Sequence, residues 1–254
     1  MRQLKTDFSL FNRFNFEKPP VAVKFLFQKP DGINQLDKIL PLCEMPKEAQ
    51  QRGIPFYFTK DNENCSGRTA LGMEGELIAD GGSGEMGVRM KIFQEGRANI
   101  QTRRRSDYRL EKGTANIVVL SPLNKLTFEP DLLLITATPN QAEIVLRAMT
   151  YSTGELIESK MPIVGACSAI FCYPYLSGKV NYIIPKLSYG MRSRQVFPEG
   201  CLLISIPYQE IPIIIQNLTE MEWVLPAFTY DKEKFAKYEL QMRNELKQVF
   251  QKHN

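Results

Sequence analysis

Four short apolar runs limit what this chain can fold into. Val21-Ala-Val-Lys-Phe-Leu-Phe27, Ile117–Leu120, Leu132–Ala137 and Leu202–Ile206 are rich in β-branched, leucine or aromatic residues, and prolines or glycines stand close to their ends. Runs of this length and composition predict buried strands. Pro55-Phe-Tyr-Phe-Thr59 and Tyr182–Ile184 add two shorter ones. Between them lie segments with helical spacing. Phe8, Phe11 and Phe14 suit a short helix packed on the body, and Ile33, Leu36, Ile39 and Leu40 fit a helix within residues 33–52 that Pro41 and Pro46 break in two. Residues 68–73, 142–149 and 208–219 also read as helical. The segment 231–252 places Phe235, Tyr238, Met242, Leu246 and Val249 on one helical face. Ile163-Val-Gly-Ala-Cys167 reads as a strand or a strand-to-helix turn.

Interleaved strands and helices predict an α/β architecture, a mixed sheet covered by helices, with α+β as the alternative. A chain of 254 residues can bury a full core without staples. It reads as a single domain, 1–254, with a glycine-rich lid or subdomain at 74–115.

The side-chain inventory removes several chemistries. The one histidine is His253, close to the end of the sequence, where fraying is expected. A Ser-His-Asp triad, a Cys-His dyad and a histidine-rich zinc site therefore lack their central residue. Acid–base work falls to carboxylates, lysine, tyrosine or cysteine. With 32 basic and 28 acidic residues the net charge is only +4, so no nucleic-acid or membrane partner is expected. No apolar run approaches the ~18 residues of a membrane helix. The opening residues carry no secretory-type apolar stretch, so the expected location is the cytoplasm. The five cysteines are then expected as buried apolar residues or ligands rather than disulfides.

Cys43 follows Pro41 at the interrupted helix, and Cys65 sits in Asn64-Cys-Ser-Gly67 ahead of a helix start. A helix N-terminus and nearby Arg68 both favour a thiolate at Cys65, although each cysteine also fits a small buried hydrophobe. Cys167 and Cys172 form a C-x4-C pair, which is neither a zinc-ribbon nor a ferredoxin spacing. Gly82-Ser-Gly-Glu-Met-Gly87 matches G-x-G-x-x-G, with Arg103-Arg-Arg105 available to a 2′-phosphate, yet only Leu77-Ile-Ala79 precedes it as a strand. A flexible glycine-rich loop fits better than the fingerprint, and the arginines fit a solvated cluster or the protected edge of a strand better than a phosphate site. Thr138-Pro-Asn-Gln141 follows an apolar strand and forms a capping box, so Thr138, Asn140 and Gln141 open a helix whose free N–H groups suit an anion. Arg192 and Arg194, after Gly190, could hold a carboxylate or phosphate, or form a solvated turn.

Taken in order, Pro20-Val-Ala-Val-Lys24, Cys43-Glu44, Asn64-Cys-Ser-Gly67, Pro130-Asp-Leu-Leu-Leu134, Pro139-Asn-Gln-Ala142, Ala166-Cys167, Gly190-Met-Arg192 and Ile206-Pro207 resemble the prokaryotic ArCR family, domain of unknown function 169. The resemblance spans about residues 18 to 220 and implies that Cys43, Cys65 and Cys167 act together. That family often has a second cysteine beside the equivalent of Cys65, where this chain has Asn64 and Ser66. A four-thiolate cluster would then need Cys172, or would leave one iron open.

The leading expectation is a metal site at Cys43, Cys65 and Cys167, holding an iron–sulfur cluster or another soft metal ion in redox or cofactor handling. Thr138, Asn140, Gln141 and Arg192 would bind a small anionic ligand nearby. Two alternatives stay open: a non-enzymatic module for a small anion or nucleotide, and an NADP-dependent oxidoreductase using Gly82–Gly87.

Overall fold

The computed structural model describes residues 4–74 and 82–251. The chain divides into two compact units, Met1–Thr219 and Glu220–Asn254. The first is built on seven strands: β1 (Val21–Leu26), β2 (Asn34–Gln35), β3 (Phe56–Phe58), β4 (Ile117–Pro122), β5 (Leu132–Ala137), β6 (Asn181–Ile183) and β7 (Leu202–Pro207). They form one sheet in the order β2-β3-β4-β1-β5-β7-β6. β2 and β3 run parallel, and every other neighbouring pair is antiparallel. The helices are α1 (Met45–Arg52), α2 (Gly67–Ala70), α3 (Glu85–Arg89), α4 (Gly96–Arg105), α5 (Pro139–Thr150), α6 (Tyr173–Ser177), α7 (Tyr189–Ser193) and α8 (Ile211–Glu220). The second unit carries α9 (Lys232–Gln251). The α/β reading and its mixed sheet hold.

Alternation along the strands sorts their residues onto two faces. Val21, Val23 and Phe25 of β1 share one face with Val118 and Leu120 of β4 and with Leu132 and Leu134 of β5. These residues join Leu42, Cys43, Met45, Leu71, Ala166 and Phe171 in one core cluster. α1 packs over β1 and β4 on this side. On the other face lie Leu133, Ile135, Ile204 and Ile206. α5 packs over β5 and β7, and its buried Ala142, Val145 and Ala148 stand outside the first cluster. Asn217 Nδ2 ties α8 to α5 through the Ala148 carbonyl at 2.8 Å. The start of α1 and the start of α5 therefore serve opposite sides of the sheet.

The predicted helix over residues 33–40 is absent. Leu36 N–H donates to the Tyr57 carbonyl at 2.8 Å, which draws this stretch against β3 as β2. Buried Asn62 completes the capture. Its Nδ2 donates to the carbonyls of Leu36 (2.8 Å) and Lys38 (3.1 Å), and its Oδ1 accepts from Gln35 Nε2 (2.9 Å) and Thr59 N–H (3.1 Å). Extended pairing to β3, reinforced by these side-chain bonds, holds the stretch out of a helix, so tertiary bonding overrides the spacing. Within the predicted 33–52 segment, α-helix begins only at Met45, where Pro46 sits in the first turn and costs no ladder bond.

The glycine-rich stretch folds as a hairpin of α3 and α4. Its Leu77–Ala79 part lies outside the described residues. Gly84 caps α3 in the left-handed region, and a Cβ there would come within 2.2 Å of the Gly96 carbonyl oxygen. A Cβ on Gly87 would lie 2.5 Å from Asn99 Nδ2. These glycines let two helices approach. The described strands that flank them, β3 and β4, pair antiparallel, whereas a dinucleotide fingerprint joins parallel strands. Arg103–Arg105 occupy the last turn of α4, where cations complement the helix dipole.

No helix among the described residues is long and apolar enough to cross a membrane. Replacing Asn62 with Ala leaves the buried Leu36 carbonyl and the part-buried Lys38 carbonyl without their donor, and we expect a loss of about 2 kcal/mol. Urea unfolding should show a lower midpoint at unchanged m-value; an unmoved midpoint contradicts the bridging role.

Candidate functional site

The site is organised by a carboxylate. Glu63 is 1% exposed and directly follows the 3-10 turn Lys60–Asn62, which Thr59 caps. Its Oε1 accepts from Leu42 N–H at 2.8 Å, and its Oε2 accepts from Cys65 N–H at 2.9 Å and Arg68 N–H at 3.1 Å. A buried carboxylate needs such charge-assisted bonds to offset its lost hydration. One side chain thus joins the segment carrying Cys43 to the loop carrying Cys65. Gly67 makes this closure possible: a Cβ there would stand 2.4 Å from Leu42 Cβ and 2.8 Å from Glu63 Oε1.

The third cysteine arrives from the far side of the sequence. Gly165, at φ +74°, turns the chain into a helix that begins at Ala166. This helix widens to a π-helix over Ser168–Cys172 and continues as α6. Ser168 Oγ anchors it by donating to the Ser106 carbonyl at 2.9 Å. Cys167 then faces Cys43, which sits in the 3-10 turn Leu42–Glu44 and is 4% exposed.

The two thiols are shifted in opposite directions. A hydrogen bond from Cys167 holds Cys43 below the ordinary thiol range; Arg194 adds to this, against burial and the charge of Glu44. The same bond pushes Cys167 well upward, assisted by burial and by the charges of Cys43, Cys65 and Glu63. As the pair loses its first proton, Cys43 is the thiolate and Cys167 the donor. Cys65 stands beside them. Arg194 Nη2 donates to Cys65 Sγ at 3.9 Å, and Arg194 Nε lies 3.9 Å from Glu44 Oε1. Among the described residues, no three Cys, His, Asp or Glu side chains stand at metal-ligand spacing.

The remaining candidates are placed elsewhere. The Cys172 thiol donates to the Ala70 carbonyl at 3.3 Å, and burial pushes it up to about 12. Cys201 is also buried and shifted upward by burial. Both behave as apolar core residues. Thr138 and Gln141 do form the expected capping box: Thr138 Oγ1 accepts from Gln141 N–H at 3.3 Å, and Gln141 Oε1 accepts from Thr138 N–H at 2.9 Å. Gln141 Nε2 is further committed to the Phe14 carbonyl at 2.9 Å. With exposed Asn140 they open α5, on the sheet face away from the cysteines, so the expected adjacency is corrected. Arg192 is exposed and its side chain has no partner among the described residues. Arg194, one short step along the chain, is the arginine that reaches the thiols.

A cavity of about 420 Å³ opens against Cys65 and Cys167, with Arg68, Arg103, Arg109 and Asp107 on its walls. A larger groove of about 580 Å³ runs along α4 and is lined by residues 95–105 only, so it gathers no second element. Sequence reasoning missed Glu63, although a carboxylate two residues before a singled-out cysteine is a readable sign. Arg194 belonged to a noted arginine pair.

Two outcomes follow from this geometry. Glu63→Gln keeps the shape but turns an amide N–H₂ toward backbone donors, and should cost about 3 kcal/mol in urea unfolding; a loss below about 0.5 kcal/mol, the size of an ordinary surface change, contradicts the bridging role. In metal-free protein, thiolate absorbance near 240 nm should reveal one thiol titrating below the ordinary range. Cys167→Ala removes its donor, so that titration should move upward in pH; an unmoved titration denies the Cys167 bond to Cys43.

A family model described as uncharacterised ArCR, domain of unknown function 169, matches residues 9–217. No curated protein and no solved structure matches the chain. The chain belongs to the uncharacterised ArCR family.

Proposed function

From membership in a family without an assigned activity, we propose that the chain is a thiol-centred protein of redox or cofactor handling. In this reading Cys43, Cys65 and Cys167 hold an iron–sulfur cluster or another soft metal ion. One observation carries it: three cysteines from separate segments are gathered at one place, with Cys43 biased toward the thiolate. Thiolate is the form that binds metal and attacks electrophiles. The donor chemistry fits a soft metal, being sulfur without imidazole. Described spacing alone does not make a three-ligand set, so the fit rests on donor type and on the convergence. A bound cluster would supply one-electron transfer. The chain's own residues would orient the thiols through Glu63 and offset their negative charge through Arg194. A reduced thiol set also favours the cytoplasm as the working compartment. The near-balanced charge supports small molecules rather than nucleic acid or membranes as partners.

The test is anaerobic purification followed by a visible spectrum and analysis of iron, sulfide and zinc. Iron with sulfide, or zinc alone, should be lost on Cys→Ser substitution at positions 43, 65 and 167. A protein that carries no metal and takes none up on reconstitution, or a triple serine variant that retains it, overturns the reading.

A further inference from the structure

We infer that the cavity beside the thiols is a binding site for a small organic anion, one with an oxyanion head and an apolar body. This rests on the reading of Cys65 and Cys167 as the chemical end of the site. The volume of about 420 Å³ lies within the range of small-molecule sites. Thiols stand at one part of its wall, and Met86 and Val164 supply apolar surface.

Charge selects the ligand's sign. Arg68 is opposed by Glu74, with Nε 2.6 Å from its Oε2, and Arg109 is paired with Asp107. Among the described residues, Arg103 has no such carboxylate. Its one side-chain bond runs from Nε to Asn99 Oδ1 at 3.3 Å, which leaves both terminal nitrogens without a partner among the described residues. Asn99 is itself fixed, because its Nδ2 donates to the Gly84 carbonyl at 3.0 Å. The α3–α4 hairpin therefore presents a positioned guanidinium fork to the cavity. Such a fork fits a carboxylate or phosphate in bidentate fashion. The glycine-rich stretch gains a role: its close helix packing sets the place of Asn99, and Asn99 sets the place of Arg103. Arg194 adds positive potential next to Cys65.

The experiment uses the full, reduced, metal-free chain and two thiol reagents of opposite charge, 2-sulfonatoethyl and 2-trimethylammonioethyl methanethiosulfonate. A protein thiolate attacks the sulfenyl sulfur, a protein–S–S–ethyl bond forms, and methanesulfinate leaves with the electron pair. Rates at Cys65 and Cys167 are read by peptide mass spectrometry and normalised to 2-mercaptoethanol. At low salt the anionic reagent should be favoured by about tenfold, the lower end of electrostatic steering. Arg103→Gln should remove most of that preference, and Arg103→Lys should retain it. Neutral methyl methanethiosulfonate should react alike with all three proteins, which shows that access to the thiols is intact. Hexanoate and hexyl phosphate then identify the head group: protection by either one supports the site and names its oxyanion. A normalised preference at or below one, a preference unchanged by Arg103→Gln, or protection by neither anion overturns the inference. No metal enters this experiment, so a protein that passes it keeps the pocket even where the metal reading fails.

Discussion

The Glu63 carboxylate is the interaction on which the site depends. It accepts three backbone N–H bonds from Leu42, Cys65 and Arg68 while almost wholly removed from water. Those three donors belong to two separate turns. Without the carboxylate, each turn would have to satisfy its own N–H groups, and nothing else among the described bonds would hold the Cys65 loop against the Cys43 turn as directly. The requirement extends to Gly67, since any side chain there would occupy the space of Leu42 and of the carboxylate itself. The Asn-Cys-Ser-Gly segment is thus a packing motif and a chemical one at once: the glycine admits the closure that places the cysteine.

The sheet contributes by separating two sides. Strand alternation sends Val21, Val23 and Phe25 toward the layer that holds Cys43 and the helix beginning at Ala166. The residues between them in the strand alternation face the other side, where α5 covers β5 and β7. Cys167 reaches Cys43 because its helix is anchored from two directions, by Ser168 to Ser106 and by Cys172 to Ala70. Both anchors lie within the π-helical stretch. A wider turn of that kind is common at functional sites, where it re-aims side chains at a small cost in ladder geometry. Two cysteines of similar appearance in the sequence consequently divide their labour: Cys172 braces the helix and Cys167 faces its partner thiol.

Much of the fold was legible because its central strands are apolar on both faces and are punctuated by proline and glycine. The helical spacing at 33–40 misleads for a physical reason. Its periodicity is real, but Asn62 takes the carbonyls of Leu36 and Lys38, and a single buried amide reads as an ordinary loop residue in sequence. The capping box at Thr138 was legible because it is local, within four residues. Its side of the sheet was not, since that depends on the register of β5 against β1 and β7. The cysteines stood out through local context and family-like motif order. Glu63 did not, because its partners at positions 42, 65 and 68 converge only in three dimensions. The arginine pair shows the same limit at smaller scale: Arg192 and Arg194 look equivalent in a line of text, yet one is solvated and the other touches Cys65.

The central claim is that distant cysteines form one chemical set, with Cys43 and Cys167 in contact. Phenylarsine oxide tests it most directly. Its trivalent arsenic condenses with two thiols, releasing water, and so bridges only sulfurs that are already neighbours. One equivalent added to reduced, metal-free protein should yield a single adduct per chain that maps to Cys43 and Cys167. An adduct at another pair, or an adduct at the same yield when Cys167 is replaced by alanine, would contradict the account.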